Sequence, residues 1–238
     1  MSARQIFGHN LFRNTNLSFE PSANLATPIS YRLGPGDEVI IDIWGASENT
    51  IRQTISPEGD IQVKDLGPVH LNGMTVKEAN QYLQREFSKI YSGIGGNEPN
   101  SQIRLTLGDT RTIQVNIMGE VSVPGTYSLS AFSTVFHALY RAGGVNKIGS
   151  LRGIKLVRNG KTIENLIMKG KMNYDIRLQE GDVIIVNPYE SLVEIVGKVK
   201  RPMYYEMKPT ETVANLLEYA GGFTGDSYKK AVRLIRKS

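Results

Sequence analysis

The sequence of 238 residues predicts an α+β chain, built from small sheets that each carry one helix, in which one unit occurs twice. An internal repeat is the main observation, since residues 115–158 recur as residues 193–236 at a constant offset of 78 without a gap. The two copies share 14 of 44 aligned residues, and because most of these are apolar, glycine or proline, they indicate a reused fold. Alternating apolar residues predict the strands, and apolar stripes of helical period predict the helices.

The repeat divides the chain into four parts. Residues 1–30 have no sustained periodicity and predict an extended arm, and residues 31–112 form a domain with a pattern of its own. Residues 113–190 hold the first copy of the repeat. If the repeated unit is 78 residues long, the second copy, residues 191–238, is incomplete. We therefore expect the chain to be a fragment of a longer protein.

The first domain opens with a turn formed by Gly34, Pro35, Gly36 and Asp37. The β-branched run over residues 39–44 then predicts a buried strand, and residues 51–55 and 61–63 predict two shorter strands. Residues 92–101 are rich in glycine and predict a loop, after which residues 103–107 return to a strand pattern. The domain thus predicts a small sheet.

One helix is expected within this domain. Thr75 and Glu78 have the spacing of a capping box, in which each side chain bonds to the backbone of the other residue. The apolar residues that follow share one helical face and comprise Val76, Ala79, Leu83 and Phe87.

Each copy of the repeat predicts a strand, a turn, a strand, a helix and a further strand. The shared glycines and proline are Gly119, Pro124, Gly143 and Gly144 in the first copy, and Gly197, Pro202, Gly221 and Gly222 in the second. Gly143 and Gly221 follow the helices, where the left-handed conformation is favoured. In the first copy the pair beginning at Pro124 suits the centre of a type II turn. The last strands are predicted at residues 154–157 and 232–235.

The first copy continues beyond the part that is repeated. Asn159-Gly160 predicts a two-residue hairpin turn. Residues 178–186 then resemble residues 33–41, so that a Gly-Asp turn before a buried strand occurs twice, with Asp182 in the place of Asp37. Side-chain hydrogen bonds to the backbone are the expected role of these carboxylates.

Composition excludes several classes of site. The absence of cysteine rules out disulfides, thiolate metal sites and a cysteine nucleophile. No apolar run approaches the roughly 18 residues of a membrane-spanning helix, and the first residues lack the apolar core of a signal peptide. The formal net charge is +5, and from Val193 onward there are nine Lys or Arg and five Asp or Glu residues. These charges belong either to an ordinary solvated surface or to a basic face for an acidic polymer or membrane.

Motifs for catalysis and cofactors are missing. Gly160-Lys161-Thr162 lacks the first glycine and the strand-to-helix context of a phosphate-binding loop. The three histidines have no metal-ligand spacing, and His137 is replaced by Asn215 in the second copy. The basic C-terminal stretch alternates with apolar residues like a strand, which does not suit nucleic acid. We therefore predict no catalytic residue, no metal, no cofactor and no nucleic-acid partner.

Several segments resemble the bacterial outer-membrane polysaccharide export proteins. Residues 31–39, Tyr-Arg-Leu-Gly-Pro-Gly-Asp-Glu-Val, resemble the opening of their export domain. Residues 55–61 followed by Leu66-Gly67 resemble its next hairpin, and residues 75–79 resemble the start of its helix. The two copies, with Gly-x4-Pro followed by Ala-Gly-Gly, resemble SLBB domains, the soluble-ligand-binding β-grasp modules that follow the export domain.

This resemblance implies an export domain with a small mixed sheet and one helix, followed by two β-grasp-like SLBB modules, the second truncated. It implies a non-enzymatic conduit for capsule or exopolysaccharide in the periplasm, associated with the outer membrane. Members form stacked homo-oligomeric rings, and the usual partner is an inner-membrane copolymerase linked to a tyrosine kinase. The chain has neither a lipidated N-terminal cysteine nor a spanning segment, so we expect any anchor to lie outside it.

Two alternatives belong to other classes of protein. A soluble-ligand sensor or binding protein is the main one, because β-grasp relatives of the repeats bind small ligands. An enzyme subunit is the other, since similar modules occur in redox complexes, but the chain has no cysteine for an iron–sulfur cluster and no flavin motif.

Overall fold

The computed structural model describes residues 5–12, 27–46, 48–91, 93–94, 99–163, 176–228 and 232–235. The chain forms two compact units. Unit 1 comprises Met1–Phe19, Gln114–Tyr127 and Ser133–Ser238, and unit 2 comprises Glu20–Ile113 and Ser128–Phe132. Within the described ranges, no helix has both the length and the apolar character needed to cross a bilayer.

Unit 2 contains an antiparallel sheet and a hairpin. Its strands are β1 (Glu38–Gly45), β2 (Asn49–Thr54), β3 (Asp60–Val63), β4 (Gly67–His70) and β5 (Ser101–Leu107). The sheet has the order β2-β1-β5, whereas β3 and β4 pair only with each other. Alternate residues of β1 are buried, as the strand period requires.

The helix of unit 2 is α1 (Val76–Phe87), as the capping box predicts. Thr75 accepts a hydrogen bond from the Glu78 amide, and the Glu78 carboxylate accepts one from the Thr75 amide at 2.8 Å. Buried residues of α1 are Ala79, Leu83 and Phe87, which confirms the predicted stripe.

A polar side chain of α1 supports strand β5. The Asn80 side chain accepts a hydrogen bond from the Leu105 amide at 2.7 Å and donates one to the Leu105 carbonyl at 2.9 Å. The sheet ends at β5, so these groups lack a strand partner on that side. The amide of Asn80 therefore replaces a neighbouring strand at one residue.

The first copy of the repeat supplies a five-stranded mixed sheet. Its elements are β6 (Thr112–Gly119), β7 (Gly125–Ser130), α2 (Val135–Arg141), β8 (Gly149–Arg158), β9 (Lys161–Ile163) and β10 (Val183–Pro188). The strand order is β7-β6-β10-β8-β9, and β6 and β10 run parallel. Helices and mixed sheets together confirm the predicted α+β class.

Two turn predictions in this copy have different outcomes. Asn159 and Gly160 have φ values of 50° and 72° between β8 and β9, which confirms the two-residue hairpin. The type II turn beginning at Pro124 is wrong, because φ of Gly125 is 159° and this residue already begins β7. A type II turn needs a value near 80° at that position.

The second copy repeats part of the first. It forms β11 (Leu192–Ile195), β12 (Met203–Glu206) and α3 (Val213–Tyr219). Its core comprises Val199, Tyr205, Met207, Leu216 and Ala220. The strand predicted at residues 232–235 is wrong, since Val232, Leu234 and Ile235 are exposed and outside any strand. No described strand lies beside them, and a strand needs a neighbour to satisfy its backbone.

The N-terminal segment also differs from an extended arm where it is described. Ile6 forms a parallel bridge with Tyr204 of β12, and a short 3₁₀ helix follows at His9–Phe12. Phe7 stacks on the Tyr205 ring with centroids 5.2 Å apart, while Phe12 contacts the Phe136 ring at 5.4 Å. Unpatterned residues fold here because both copies of the repeat offer aromatic contacts.

Candidate functional site

The turn at the start of unit 2 is organised by a buried carboxylate. Asp37 is fully buried, and its carboxylate accepts hydrogen bonds from the Gly34 amide at 2.9 Å and the Arg111 amide at 2.8 Å. The Arg111 guanidinium donates a further bond at 2.6 Å. Gly36 has a φ of 90°, a conformation that favours glycine. The predicted turn residues are thus brought together with an arginine from the end of the domain.

Tyr31 completes this cluster. Its hydroxyl donates to Asp37 at 2.7 Å, and the Arg111 guanidinium lies over its ring at 5.4 Å. Burial and the bond to Asp37 raise the pKa of the Tyr31 phenol above its ordinary value, because both disfavour a second negative charge. The phenol therefore acts as a fixed hydrogen-bond donor.

Unit 1 contains a second cluster of the same design. Asp182 is fully buried and accepts a hydrogen bond from the Gln179 amide at 2.8 Å, three residues earlier. Arg158 binds both of its oxygens, at 2.9 and 2.7 Å. A buried carboxylate is stable only when it is paired and hydrogen-bonded in this way. Both Gly-Asp turns therefore depend on an arginine that lies far away in sequence.

The shared positions of the repeat meet in space within each copy. In the first copy, the Ser122 amide donates to the Gly144 carbonyl at 2.9 Å, which joins the Gly119–Pro124 loop to the end of α2. In the second, the Lys200 amide donates to the Gly222 carbonyl at 3.0 Å. The Gly-x4-Pro and Ala-Gly-Gly motifs thus contact each other in each copy, and we call this contact the junction.

A glycine of this junction meets different surroundings in the two copies. Gly119 and Gly197 have φ values of 86° and 94°, which favour glycine in both. A Cβ on Gly119 would lie 2.2 Å from the Val186 carbonyl oxygen of β10, whereas one on Gly197 would contact nothing within 4 Å. Close packing against β10 is therefore an additional constraint on the first copy.

A tyrosine three residues after the repeat proline makes an equivalent hydrogen bond in each copy. The Tyr127 hydroxyl donates to the Val123 carbonyl at 2.6 Å, and the Tyr205 hydroxyl donates to the Arg201 carbonyl at 2.9 Å. Both carbonyls belong to the residue before the proline. This bond ties the loop to the following strand in each copy.

His137 and Asn215 also have a common role. The His137 Nδ1 accepts a hydrogen bond from the Thr134 amide at 3.1 Å. The Asn215 side-chain oxygen accepts one from the Thr212 amide at 2.9 Å. Each side chain therefore completes the capping of its helix, and the position requires an acceptor rather than a histidine.

Polar residues that differ between the copies join them to each other. We call Ser150, Arg152, Glu206, Glu211 and Tyr219 the inter-copy network. The Arg152 guanidinium binds both oxygens of Glu211, at 2.6 and 2.5 Å, and also the Glu206 carbonyl at 2.9 Å. The Ser150 hydroxyl donates to the Glu206 carboxylate at 2.5 Å. The paired side chains are each 14% exposed, so the bonds are largely shielded from water.

The hydrogen bonds of the inter-copy network stabilise the charged forms of Glu211 and Arg152. Hydrogen bonds from Arg152 hold the pKa of the Glu211 carboxyl down at about 2. The pKa of Arg152 is raised, chiefly by the same bonds. Tyr219 donates to Glu211 at 2.7 Å, and this bond raises the pKa of the Tyr219 phenol. The network fixes the orientation of the second copy against the first.

Of the three arginines that bind buried or shielded carboxylates, Arg111, Arg152 and Arg158, the sequence distinguishes only Arg158. Arg158 is identical in the repeat, as Arg236, and is the only charged residue among the shared positions. Arg111 and Arg152 have no comparable mark. Within the part of the chain that the structure describes, no group of three His, Asp or Glu side chains could hold a metal ion.

Comparisons with known families place three domains along the chain. Residues 25–106 match the family described as "Polysaccharide biosynthesis/export protein". Residues 113–186 and 192–238 each match a family described as "SLBB domain". The chain thus contains a polysaccharide export domain followed by two SLBB domains.

Two curated relatives of the chain come from Escherichia coli. Both are named "Polysialic acid transport protein KpsD", and each is 25% identical over 240 residues. The alignment covers 98% of this chain and 41% of each relative. The chain thus spans about two fifths of the length of the relatives it matches.

Proposed function

We propose that this chain is the periplasmic part of a non-enzymatic outer-membrane channel that exports a capsule polysaccharide or exopolysaccharide. The observation that carries the proposal is the order of domains, in which one export domain is followed by two SLBB domains over residues 25–106, 113–186 and 192–238. Two relatives that align with 98% of the chain are named for polysialic acid transport, which supports a polysaccharide as the cargo.

The chemistry of the described residues suits a conduit. Buried carboxylates and arginines are committed to structural bonds, as at Asp37–Arg111, Asp182–Arg158 and Glu211–Arg152. A channel for a long hydrated polymer needs a rigid wall and weak contacts, because tight binding would stop the chain from moving. Paired modules held by such bonds provide rigidity without a catalytic group.

Assembly and partners are part of the same proposal. A closed ring of identical subunits forms through head-to-tail contacts, and we propose that the full-length protein assembles in this way. The partner at the inner membrane is a polysaccharide copolymerase linked to a tyrosine kinase. The polysaccharide in transit is the third partner, and its path lies through the periplasm to the outer membrane.

A deletion strain tests the function. Removal of the gene should abolish surface polysaccharide, and the full-length gene supplied from a plasmid should restore it. Normal surface polysaccharide in the deletion strain would overturn the proposal. A thermal-shift screen of the purified chain against small soluble ligands tests the sensor alternative, since a ligand sensor should show a saturable shift with its ligand.

A further inference from the structure

The export domain of unit 2 has an open groove beside α1. It has a volume of about 570 Å³, and its polar lining comprises Arg32, Asn72, Glu78, Gln81, Tyr82 and Arg85. These side chains come from the segment before β1, the turn after β4 and one face of α1. The lining holds two arginines and one glutamate, so its net charge is positive.

Arg85 is the most available cation of the groove. Its guanidinium lies 5.9 Å from the centre of the Tyr82 ring, and it has no carboxylate partner among the described residues. A ring contact orients a guanidinium but does not use its N–H groups. Arg85 therefore presents donors that match both oxygens of a carboxylate.

The charge of Arg32, the second arginine of the groove, is only partly neutralised. Its guanidinium donates to the Gly73 carbonyl at 2.5 Å and lies 3.5 Å from the Glu78 carboxylate. Glu78 is also bound to the amide and hydroxyl of Thr75 at the start of α1. The Thr75 bonds hold the pKa of the Glu78 carboxyl below its ordinary value, so Glu78 stays charged beside Arg32.

Two side-chain amides supply further hydrogen-bonding groups in the groove. Asn72 and Gln81 are exposed, and neither side-chain amide makes a hydrogen bond to another described residue. An amide offers both donors and acceptors, which suits the hydroxyl groups of a sugar. Two arginines, two amides and an aromatic ring around an open groove fit a sugar that carries a carboxylate.

We infer that this groove binds the acidic sugar units of a polysaccharide, with Arg85 on the carboxylate and Asn72 and Gln81 on hydroxyls. This inference rests on the proposed function, because the polymer in transit would supply the ligand. Binding is weak, with a dissociation constant of about 1 mM, so that a moving chain is guided and released. Tyr82 is a positioning residue that holds the Arg85 guanidinium.

Titration of the isotope-labelled chain with oligogalacturonate, followed by amide NMR, tests the inference. We expect saturable shifts at Gly73, Tyr82 and Arg85, and no such shifts with a neutral malto-oligosaccharide of the same length. Shifts of the same size with the neutral sugar, shifts elsewhere only, or an equal response to inorganic phosphate at the same concentration would overturn it.

Variants define the role of each charge. Arg85→Gln should weaken oligogalacturonate binding about tenfold, whereas Lys89→Gln should not, since Lys89 lies nearby but is bonded to Glu86 at 2.6 Å. Arg32→Gln has a matched control in Arg52→Gln, an arginine of similar exposure outside the groove. Equal losses in a variant and its control would contradict the assignment.

Two further variants separate binding from structural effects. Glu78→Gln keeps an acceptor for the helix cap but removes the negative charge, so it should strengthen binding several-fold. Tyr82→Phe should bind like the wild type, whereas Tyr82→Leu should bind more weakly, because only Leu removes the ring under Arg85. Weaker binding by Glu78→Gln would overturn the inference.

The inference and the proposed function fail separately. If the full-length gene restores surface polysaccharide but the purified chain gives no groove shifts, only the inference fails. If the chain binds oligogalacturonate in the groove but the deletion strain keeps its surface polysaccharide, the export function fails, and the groove remains as a sugar-binding site.

Discussion

Arg152 in the first copy of the repeat binds both carboxylate oxygens of Glu211 in the second, at 2.6 and 2.5 Å. Neither residue is identical in the two copies of the repeat, since Arg152 aligns with Lys230 and Glu211 aligns with Ser133. Arg152 and Glu211 occupy different positions of the repeat, so the two copies contact each other here through residues that they do not share. The bond therefore links the two copies of the repeat directly.

Loss of this pair should destabilise unit 1. Arg152→Ala leaves the shielded Glu211 carboxylate without its charged partner, and we expect it to lower the free energy of unfolding by about 2 kcal/mol. Urea denaturation measures this change. The exposed pair Lys198–Asp226 is a control, because its side chains are 67% and 62% exposed, and Asp226→Asn should leave the midpoint unchanged. Similar losses in both variants would contradict the role of the network.

Acid should weaken the same contact. The pKa of Glu211 falls from its ordinary value of 4.5 to about 2 in the folded protein. A carboxyl with a lowered folded pKa gives stability that is present above its unfolded pKa and is lost as the pH falls toward the folded value. Stability should therefore fall between about pH 5 and pH 2 more steeply in the wild type than in Glu211→Gln. Parallel curves of the two proteins would rule out this contribution.

The buried turn of the export domain should be sensitive to charge. Asp37→Asn leaves Arg111 without its charged partner and replaces one of the two carboxylate oxygens, each of which accepts two hydrogen bonds, with a donor. We expect a loss of about 3 kcal/mol in the free energy of unfolding, measured by thermal or urea denaturation. Asp42→Asn is a suitable control, since the Asp42 side chain accepts an exposed hydrogen bond from the Thr50 hydroxyl and has no other described side-chain partner. An Asp37 variant as stable as this control would exclude the proposed turn design.

The two glycines after the helices should respond unequally to alanine. Gly144 and Gly222 have φ values of 77° and 83°, so alanine is strained at both, at a cost of about 1 kcal/mol. A Cβ on Gly144 would also lie 2.3 Å from Phe12, whereas one on Gly222 meets nothing within 4 Å. Gly144→Ala should therefore lower the melting temperature more than Gly222→Ala. In a Phe12→Gly background, which lacks the contacting Cβ, Gly144→Ala should lower the melting temperature less than it does in the wild type.

Local patterns predicted the elements that depend on neighbouring residues. The Thr75–Glu78 capping box located α1, and Asn159-Gly160 located the hairpin between β8 and β9. The repeat glycines were correctly expected in left-handed conformations after the helices. Each of these features depends on backbone chemistry within a few residues, which a sequence displays directly.

Contacts between distant residues were not predictable in this way. Arg111 reaches Asp37 across 74 residues, and Arg152 reaches Glu211 across 59. Residues 232–235 have the composition of a strand but no described neighbour to pair with. The first residues lack periodicity, yet Phe7 and Phe12 pack on aromatic side chains of the repeat. Pairing and packing of this kind depend on the tertiary fold, which no local pattern encodes.

The location of newly made polysaccharide in a deletion strain tests the central claim most directly. Fractionation should show a polymer that is still synthesised but is retained inside the cell envelope, with surface polymer restored by the full-length gene. An export role predicts this retention, since synthesis does not require the protein. Normal surface polymer, or an equal loss of polymer from every fraction, would contradict the account.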